Sequence, residues 1–366
     1  MAPRRELLLV GCGKPDSGAA GHAGIAVFAF NETTGEAVHL ATTPQIDNPN
    51  FLAIDSDTRL VYATSEDADK PEGATVVYAL DPDSGRLSWI ERQTTLGSLP
   101  CHLCLDQTGD FLFVTNFDRA LPGDAPAQSF ALFPTRSRTG LAPATASRKH
   151  LGSGPRSPFQ DTAHPHCARV SADNRFVLVT DLGTDAIMSY PFDASTGELG
   201  SVSSSCAMPP GSGPRHLVFS PDGRTAFISN EMNSTVAALD YEPRGGQLSV
   251  RQILSTLPTG FSGDNYPADL HLARDAGFLY ISNRGHDSIA RFSVNGPLLH
   301  AAGHSPTFGA WPRSFAISPS DKYLVVANQR SNSLVTLAID ARDQAGLRKV
   351  ATFSVAHPLF VAFVSA

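Results

Sequence analysis

The sequence predicts an all-β fold, a seven-bladed β-propeller closed by pairing of its N- and C-terminal strands, on three observations. One hairpin pattern recurs six times in fixed internal register, a seventh copy is split between the two ends of the chain, and no long segment shows convincing helical periodicity. The 366 residues are 42% hydrophobic and 17% charged, a composition that can bury a large core. All-β propellers commonly exceed the usual domain size as one unit, so residues 1–366 are expected to form a single propeller domain.

The repeat is clearest at residues 213–231, GPRHLVFSPDGRTAFISNE: an alternating strand, a Ser-Pro-Asp-Gly turn and a second alternating strand, which together read as a β-hairpin. The same pattern recurs at 49–66, 100–117, 165–182, 267–284 and 312–329. In each copy a proline (Pro49, Pro100, Pro165, Pro214, Pro267, Pro312) precedes a polar residue (Ser65, Asn116, Asp181, Asn230, Asn283, Asn328) by 16 positions. The seventh copy takes PLFVAFV (358–364) as its first strand and LLLVG (7–11) as its second, which predicts ring closure by the termini. Successive prolines lie 45 to 65 residues apart, bracketing the length of a four-stranded blade. Further alternating strands, joined by turns such as DPDSG (81–85) and DASTG (193–197), supply the outer two strands of each blade. The longest interval holds a Gly/Pro/Ala/Ser-rich stretch, 119–160, which reads as an excursion over a blade edge or a mobile loop.

Within each hairpin the residue after the proline starts the first strand and the residue after the polar position ends the second, so both lie opposite the turn, on one rim. The first column is Asn50, Cys101, His166, Arg215, Ala268, Arg313 and Leu359; the second is Glu66, Phe117, Leu182, Glu231, Arg284, Gln329 and Cys12. His166, Arg215, Arg313, Glu231 and Arg284 thus converge from four consecutive blades. Guanidiniums offer forked donors for carboxylate or phosphate, while His166 and Glu231 can move protons. The neighbouring positive charge should lower the pKa of His166 and favour its neutral form. Further candidates for substrate contact are Gln329, His216, His164, Asn230, Asn283 and Asp181. The blander reading makes these polar residues caps of blade ends, with Glu231 paired to Arg215 or Arg284 and Asp181 and Asn116 bonded to neighbouring backbone.

Several stretches, GPRHLVFSPDG (213–223), ISNEMNST (228–235), YISNRGHDSI (280–289) and WPRSFAI (311–317), resemble the seven-bladed lactonase-like propeller family, and the likeness covers nearly the whole chain. That family includes a bacterial 6-phosphogluconolactonase and a fungal 3-carboxy-cis,cis-muconate lactonizing enzyme. The resemblance to its lactonizing branch implies an active site of a histidine, two arginines and a glutamate, matched here by His166, Arg215, Arg284 and Glu231. It implies a lactonase, a carboxylic-ester hydrolase acting on an anionic sugar lactone, with carboxymuconate-type lactonization and a non-catalytic metabolite- or protein-binding propeller as the alternatives. Where the family has a short Asn-Tyr-Gly-type continuation, this chain has Asn116-Phe117-Asp118-Arg119 and then the long stretch.

Other signals point elsewhere. The net charge of −7 gives no attraction to nucleic acid or to an anionic membrane, and no segment approaches the length of a membrane helix. Arg4-Arg5 before LLLVGC resembles a twin-arginine signal, but the apolar run is too short. Cys12, Cys101, Cys104, Cys167 and Cys206 are an odd number without framework spacing and read as free thiols in a cytoplasmic protein. CHLC (101–104) has CxxC spacing, yet on a strand its cysteines face opposite ways. Gly11, Gly13 and Gly18 follow an apolar strand but precede no helix, so a dinucleotide loop has no support. His164, His166, His271, His286, His300 and His304 lack paired carboxylates at ligand spacing, so neither a metal nor any other cofactor is expected. The expected partner is a small anionic substrate alone, with the protein a monomer or a weak homo-oligomer.

Overall fold

The strand Phe176–Asp181 (FVLVTD) shows how the chain builds its core. All six residues are buried, which requires cover on both faces of the sheet, since successive side chains point opposite ways. Val177 and Val179 pack with Phe113, Phe130 and Leu132 of the preceding sheet, while Phe176 and Leu178 pack with Ala226, Ile228 and Leu239 of the following one. Each sheet is therefore wedged between two others. The computed structural model describes residues 6–14, 24–66, 72–117, 127–339 and 346–365. They form seven separate antiparallel sheets, six of four strands and one of five.

The blades occupy residues 52–94, 100–148, 165–207, 214–255, 266–306 and 312–354, taken here as the first to the sixth. The seventh joins the C-terminal strand Pro358–Ser365 to Glu6–Cys12, Gly24–Phe30 and Ala37–Thr43. Leu8 pairs with Phe363 and Val10 with Val361, so the ring closes through the two ends as the split repeat predicts. The first strand of each blade abuts the first strands of its neighbours, including Pro358–Ser365 against Pro312–Ile317 and Leu52–Asp55. First strands thus line the axis. Fourth strands such as Leu87–Thr94, exposed or half-buried at all but the first residue, form the perimeter. A single 3-10 turn, Gln329–Ser331, is the helical content among the described residues.

The long stretch is corrected in part. Its residues 127–160 contain Phe130–Pro134 and Ala146–Arg148, the outer two strands of the second blade. Five strand residues among many glycines, prolines and alanines are masked by the composition around them. Residues 118–126, Arg4-Arg5 and Gly18 lie outside the described residues. Gly11 sits mid-strand, where a Cβ would come 2.0 Å from the Pro49 carbonyl oxygen. A close approach of the segment leading into the first blade is what requires this glycine.

Candidate functional site

Five of the blade-opening prolines pair across their hairpins with the polar residue 16 positions on: Pro100 with Asn116, Pro165 with Asp181, Pro214 with Asn230, Pro267 with Asn283 and Pro312 with Asn328. In all five the register shifts directly after the proline, a β-bulge that takes in Cys101, His166, Arg215, Ala268 and Arg313. A bulge leaves a residue unpaired and re-aims its side chain. With the seventh blade, where the register shift takes in Leu359 between Pro358 and Phe360, six blades therefore carry the same local device at one rim, and the residue type at the bulge decides what each presents there. The second column is fixed by the closing bond of the hairpin, as where the Glu231 N–H donates to the Gly213 carbonyl at 2.7 Å.

These positions surround a recess of about 290 Å³ lined by Asn50, Glu66, Leu99, Cys101, Phe117, His166, Arg215, Glu231, Arg284 and Arg313. All five members of the charged cluster meet in it. Glu231 Oε2 lies 2.9 Å from Arg215 Nε and 2.8 Å from Arg284 Nη2. The carboxylate thus bridges two guanidiniums. Arg284 Nε donates to the Tyr266 carbonyl at 3.0 Å. Its guanidinium lies 5.5 Å from the centre of the Trp311 ring, on which Arg330 also stacks. No carboxylate of the described residues is within ion-pair distance of Arg313.

The charge states follow from burial and these neighbours. Arg215 is 2% exposed; burial and then the Arg284 charge pull its pKa down to about 9, which leaves it a cation at neutral pH. Arg313 is lowered for the same two reasons. Burial alone would raise Glu231, but Arg284 and then Arg215 overcome it and hold the carboxyl ionised. His166 sits well below the ordinary histidine value, chiefly through burial and next through Arg215. The sequence anticipates that direction but assigns it to charge; desolvation is the larger cause. His166 Nδ1 is buried without a partner, so any proton exchange with a molecule in the recess runs through Nε2.

The other candidates lie around the recess and do not line it. Asp181 accepts from His150 Nδ1 at 2.7 Å and from the backbone N–H groups of His164, Gly183 and Thr184. Asn230 donates to Thr235 Oγ1, and Asn283 to the Thr256 carbonyl. All three are fully buried and tie blade ends together, as capping requires. Gln329 Nε2 lies 2.8 Å from His357 Nε2. His164 stacks on Phe117 with ring centres 4.5 Å apart and bonds the Phe117 carbonyl, so it braces a wall of the recess. His216 lies beneath the floor, against Arg215. Asn50 and Glu66 of the first blade and Cys101 and Phe117 of the second stand in the two columns but outside the charged cluster chosen from them. Register alone would have found them.

The five cysteines are buried and unpaired. Cys101 Sγ contacts the Thr115 and His166 carbonyls, while Cys104 packs beside Phe113 and Val170, away from it. Among the described residues no group of three or more His, Cys, Asp or Glu side chains is arranged to hold a metal ion, and no helix is long and apolar enough to cross a membrane.

Comparison with known proteins covers nearly the whole chain. The family model for the seven-bladed β-propeller lactonases matches residues 8–363. The 6-phosphogluconolactonase of Bacillus subtilis (strain 168) is 31% identical over 324 residues, 87% of this chain and 88% of that protein. Among solved structures, a putative 6-phosphogluconolactonase from Bacteroides fragilis superposes with a TM-score of 0.88 at 30% identity, covering 100% of this chain and 99% of that one. A periplasmic gluconolactonase from Pseudomonas aeruginosa gives 0.89 at 30% identity over 99% of both chains. A match running from the first strand of the ring to the strand that closes it leaves no blade unaccounted for, and the chain belongs to the seven-bladed β-propeller lactonase family.

Proposed function

We propose that the protein hydrolyses an anionic sugar lactone, with 6-phosphogluconolactone the substrate that best suits its recess. The observation that carries this reading is the meeting of three arginines, one bridging carboxylate and one neutral histidine in a recess near the lower bound of the ~300–1,000 Å³ typical of small-molecule sites. Arg313, which lacks a carboxylate partner at ion-pair distance among the described residues, takes the phosphate. Arg215 and Arg284, oriented by Glu231, turn the donors not facing that carboxylate toward the lactone carbonyl oxygen and hold the negative charge it gains. Glu231 is occupied by two cations and held ionised, so it orients more readily than it accepts a proton.

His166 is then the base. Its Nε2 takes a proton from water as the water oxygen bonds to the carbonyl carbon; the tetrahedral oxyanion collapses, the bond from that carbon to the ring oxygen breaks, and His166 returns the proton to the leaving oxygen. Burial chiefly keeps His166 neutral in the free protein; the added effect of the guanidiniums is offset when the phosphate arrives, which strengthens it as a base at the moment of use. The kinship with 6-phosphogluconolactonases supports hydrolysis over lactonization. A cytoplasmic location suits the free thiols and is tested by fractionation against the periplasmic location named for the Pseudomonas relative. Turnover of freshly generated 6-phosphogluconolactone above its spontaneous rate, lost in His166→Ala and Arg215→Ala, is the expected result. No turnover on it or on gluconolactone would overturn the assignment.

A further inference from the structure

Below the recess, Arg215 makes a contact that neither lactone recognition nor proton transfer requires directly. The bulge after Pro214 takes in both Arg215 and His216, so two consecutive side chains meet instead of pointing to opposite faces, with Arg215 Nη1 3.1 Å from His216 Nε2. A guanidinium has only donors. Nε2 must therefore accept, and the single proton of the neutral ring belongs on Nδ1. On that side Nδ1 lies 2.9 Å from Asp269 Oδ1. An ionised carboxylate has only lone pairs to offer, so both neighbours of the ring impose the same tautomer.

Asp269 is built to stay ionised and still. It is 4% exposed, and it accepts from His271 Nε2 at 3.2 Å, Ser314 Oγ at 2.9 Å and the backbone N–H groups of Leu270 and Phe315. Burial alone would raise its pKa, but His271 and His216 hold it well below the ordinary carboxylate range. The His216 ring is enclosed by Phe51, His102 and His166, with ring centres 6.0, 5.5 and 5.3 Å away. It has no room to turn over and is itself kept neutral, chiefly by burial and then by Arg215. The connection runs from Ser314 of the sixth blade through Asp269 of the fifth to His216 and Arg215 of the fourth. It ends at Glu231 and the recess.

We propose that His216 and Asp269 are positioning residues for Arg215: the carboxylate fixes the imidazole in its Nδ1–H form, and the bare Nε2 holds the guanidinium square to Glu231 and to the lactone carbonyl. A guanidinium in a field of two other cations tends to swing away from them, and this acceptor on its inner side opposes the swing. The kinetic consequence rests on the lactonase reading; the geometric one does not.

Two amides separate positioning from mere filling. A glutamine at 216 can bring its carbonyl oxygen to where Nε2 sits and keep an acceptor for Arg215. An asparagine reaches only as far as Nδ1, keeping the bond to Asp269 and losing the one to Arg215. His216→Gln should retain kcat/KM for 6-phosphogluconolactone within about threefold, and His216→Asn should lose about 100-fold, mostly in kcat, the scale of a small misplacement of a catalytic group. Thermal unfolding should place the two variants close together. Equal activity of the two variants, or the Asn variant outperforming the Gln variant, would overturn the proposal; should His216→Asn fail to fold, Asp269→Asn, which frees the tautomer, is expected to show the same loss. Independently of turnover, 15N spectra of the imidazoles should put the His216 proton on Nδ1, and crystal structures should show Arg215 displaced in the Asn variant but not in the Gln variant. A proton on Nε2, or an unmoved Arg215, contradicts the proposal even if no lactone is hydrolysed. Absence of wild-type turnover alone contradicts only the lactonase reading.

Discussion

His166 carries a pH prediction whose sign is fixed by its surroundings. As a base it works neutral, and burial followed by Arg215 keeps its pKa well below the ordinary 6.5. Between pH 6.5 and 8 kcat/KM should therefore be flat, and its acid limb should fall well below 6.5, where the ring takes up its proton. Arg215→Met removes the second of the two causes and should move that limb upward in whatever activity remains. A limb centred at or above 6.5 in the wild type would place the proton-accepting role on another group. The position of His166 at the rim was legible because the repeat counts residues: one place after the proline in every copy. Its dominant shift was not, since burial depends on Phe117 and His216, which reach it from other blades. The same limit applies to Asn230, Asn283 and Asp181. They are polar and in register, yet whether such a side chain meets solvent or backbone is decided by the turn that folds over it.

At the scale of the element, the recurrent bulge turns an ordinary hairpin into a mount for a functional side chain. The corner leading into an inner strand also recurs: Asn48, Leu99, Gly213, Trp311 and His357 all adopt positive φ there. At Gly213, φ is +62° and a Cβ would come 2.3 Å from Met232 Cγ. Because this corner leads directly into Arg215, Gly213→Ala should cost about 1–3 kcal/mol in stability and lower kcat/KM as well, read by denaturant titration alongside kinetics. An unchanged midpoint would show that the corner relaxes freely. Hairpins were legible because strand alternation and the Ser-Pro-Asp-Gly type of turn are local. The bulges were not, because a bulge is a relation between two strands and leaves the sequence of each one regular. The outer strands of the second blade were hidden for a further reason: Phe130–Pro134 is short and set in loop-like composition, and what holds it is its ladder with Phe111–Asn116.

For the whole molecule, closure and charge are the properties that matter. Removing residues 358–366 takes away an inner strand that abuts both the sixth and first blades, and the shortened chain should lose the sharp thermal transition of the intact one; retention of that transition would mean that the ring does not depend on terminal pairing. Acid stability has a definite sign. His102, His166 and His216 all have folded-state values below 6.5, so as pH falls below about 6.5 the unfolded chain binds protons that the folded one refuses, and stability declines. Above that value these groups contribute nothing. Glu231 and Asp269, also lowered, add a loss that starts below about 4.5 and continues as pH falls through their folded values. Denaturant midpoints should thus be level between about pH 7 and 8 and fall from pH 6.5 downward, whereas a rise on acidification would contradict the buried neutral histidines. A chain of net charge −7 that gathers three arginines in one recess concentrates its attraction for anions there. The most direct test of that central claim is the rate of hydrolysis of freshly generated 6-phosphogluconolactone beside unphosphorylated gluconolactone, by the wild type and by Arg313→Ala. The account predicts rapid turnover with a preference for the phosphorylated lactone that Arg313→Ala abolishes, while equal rates on both lactones, or a preference untouched by that substitution, would contradict it.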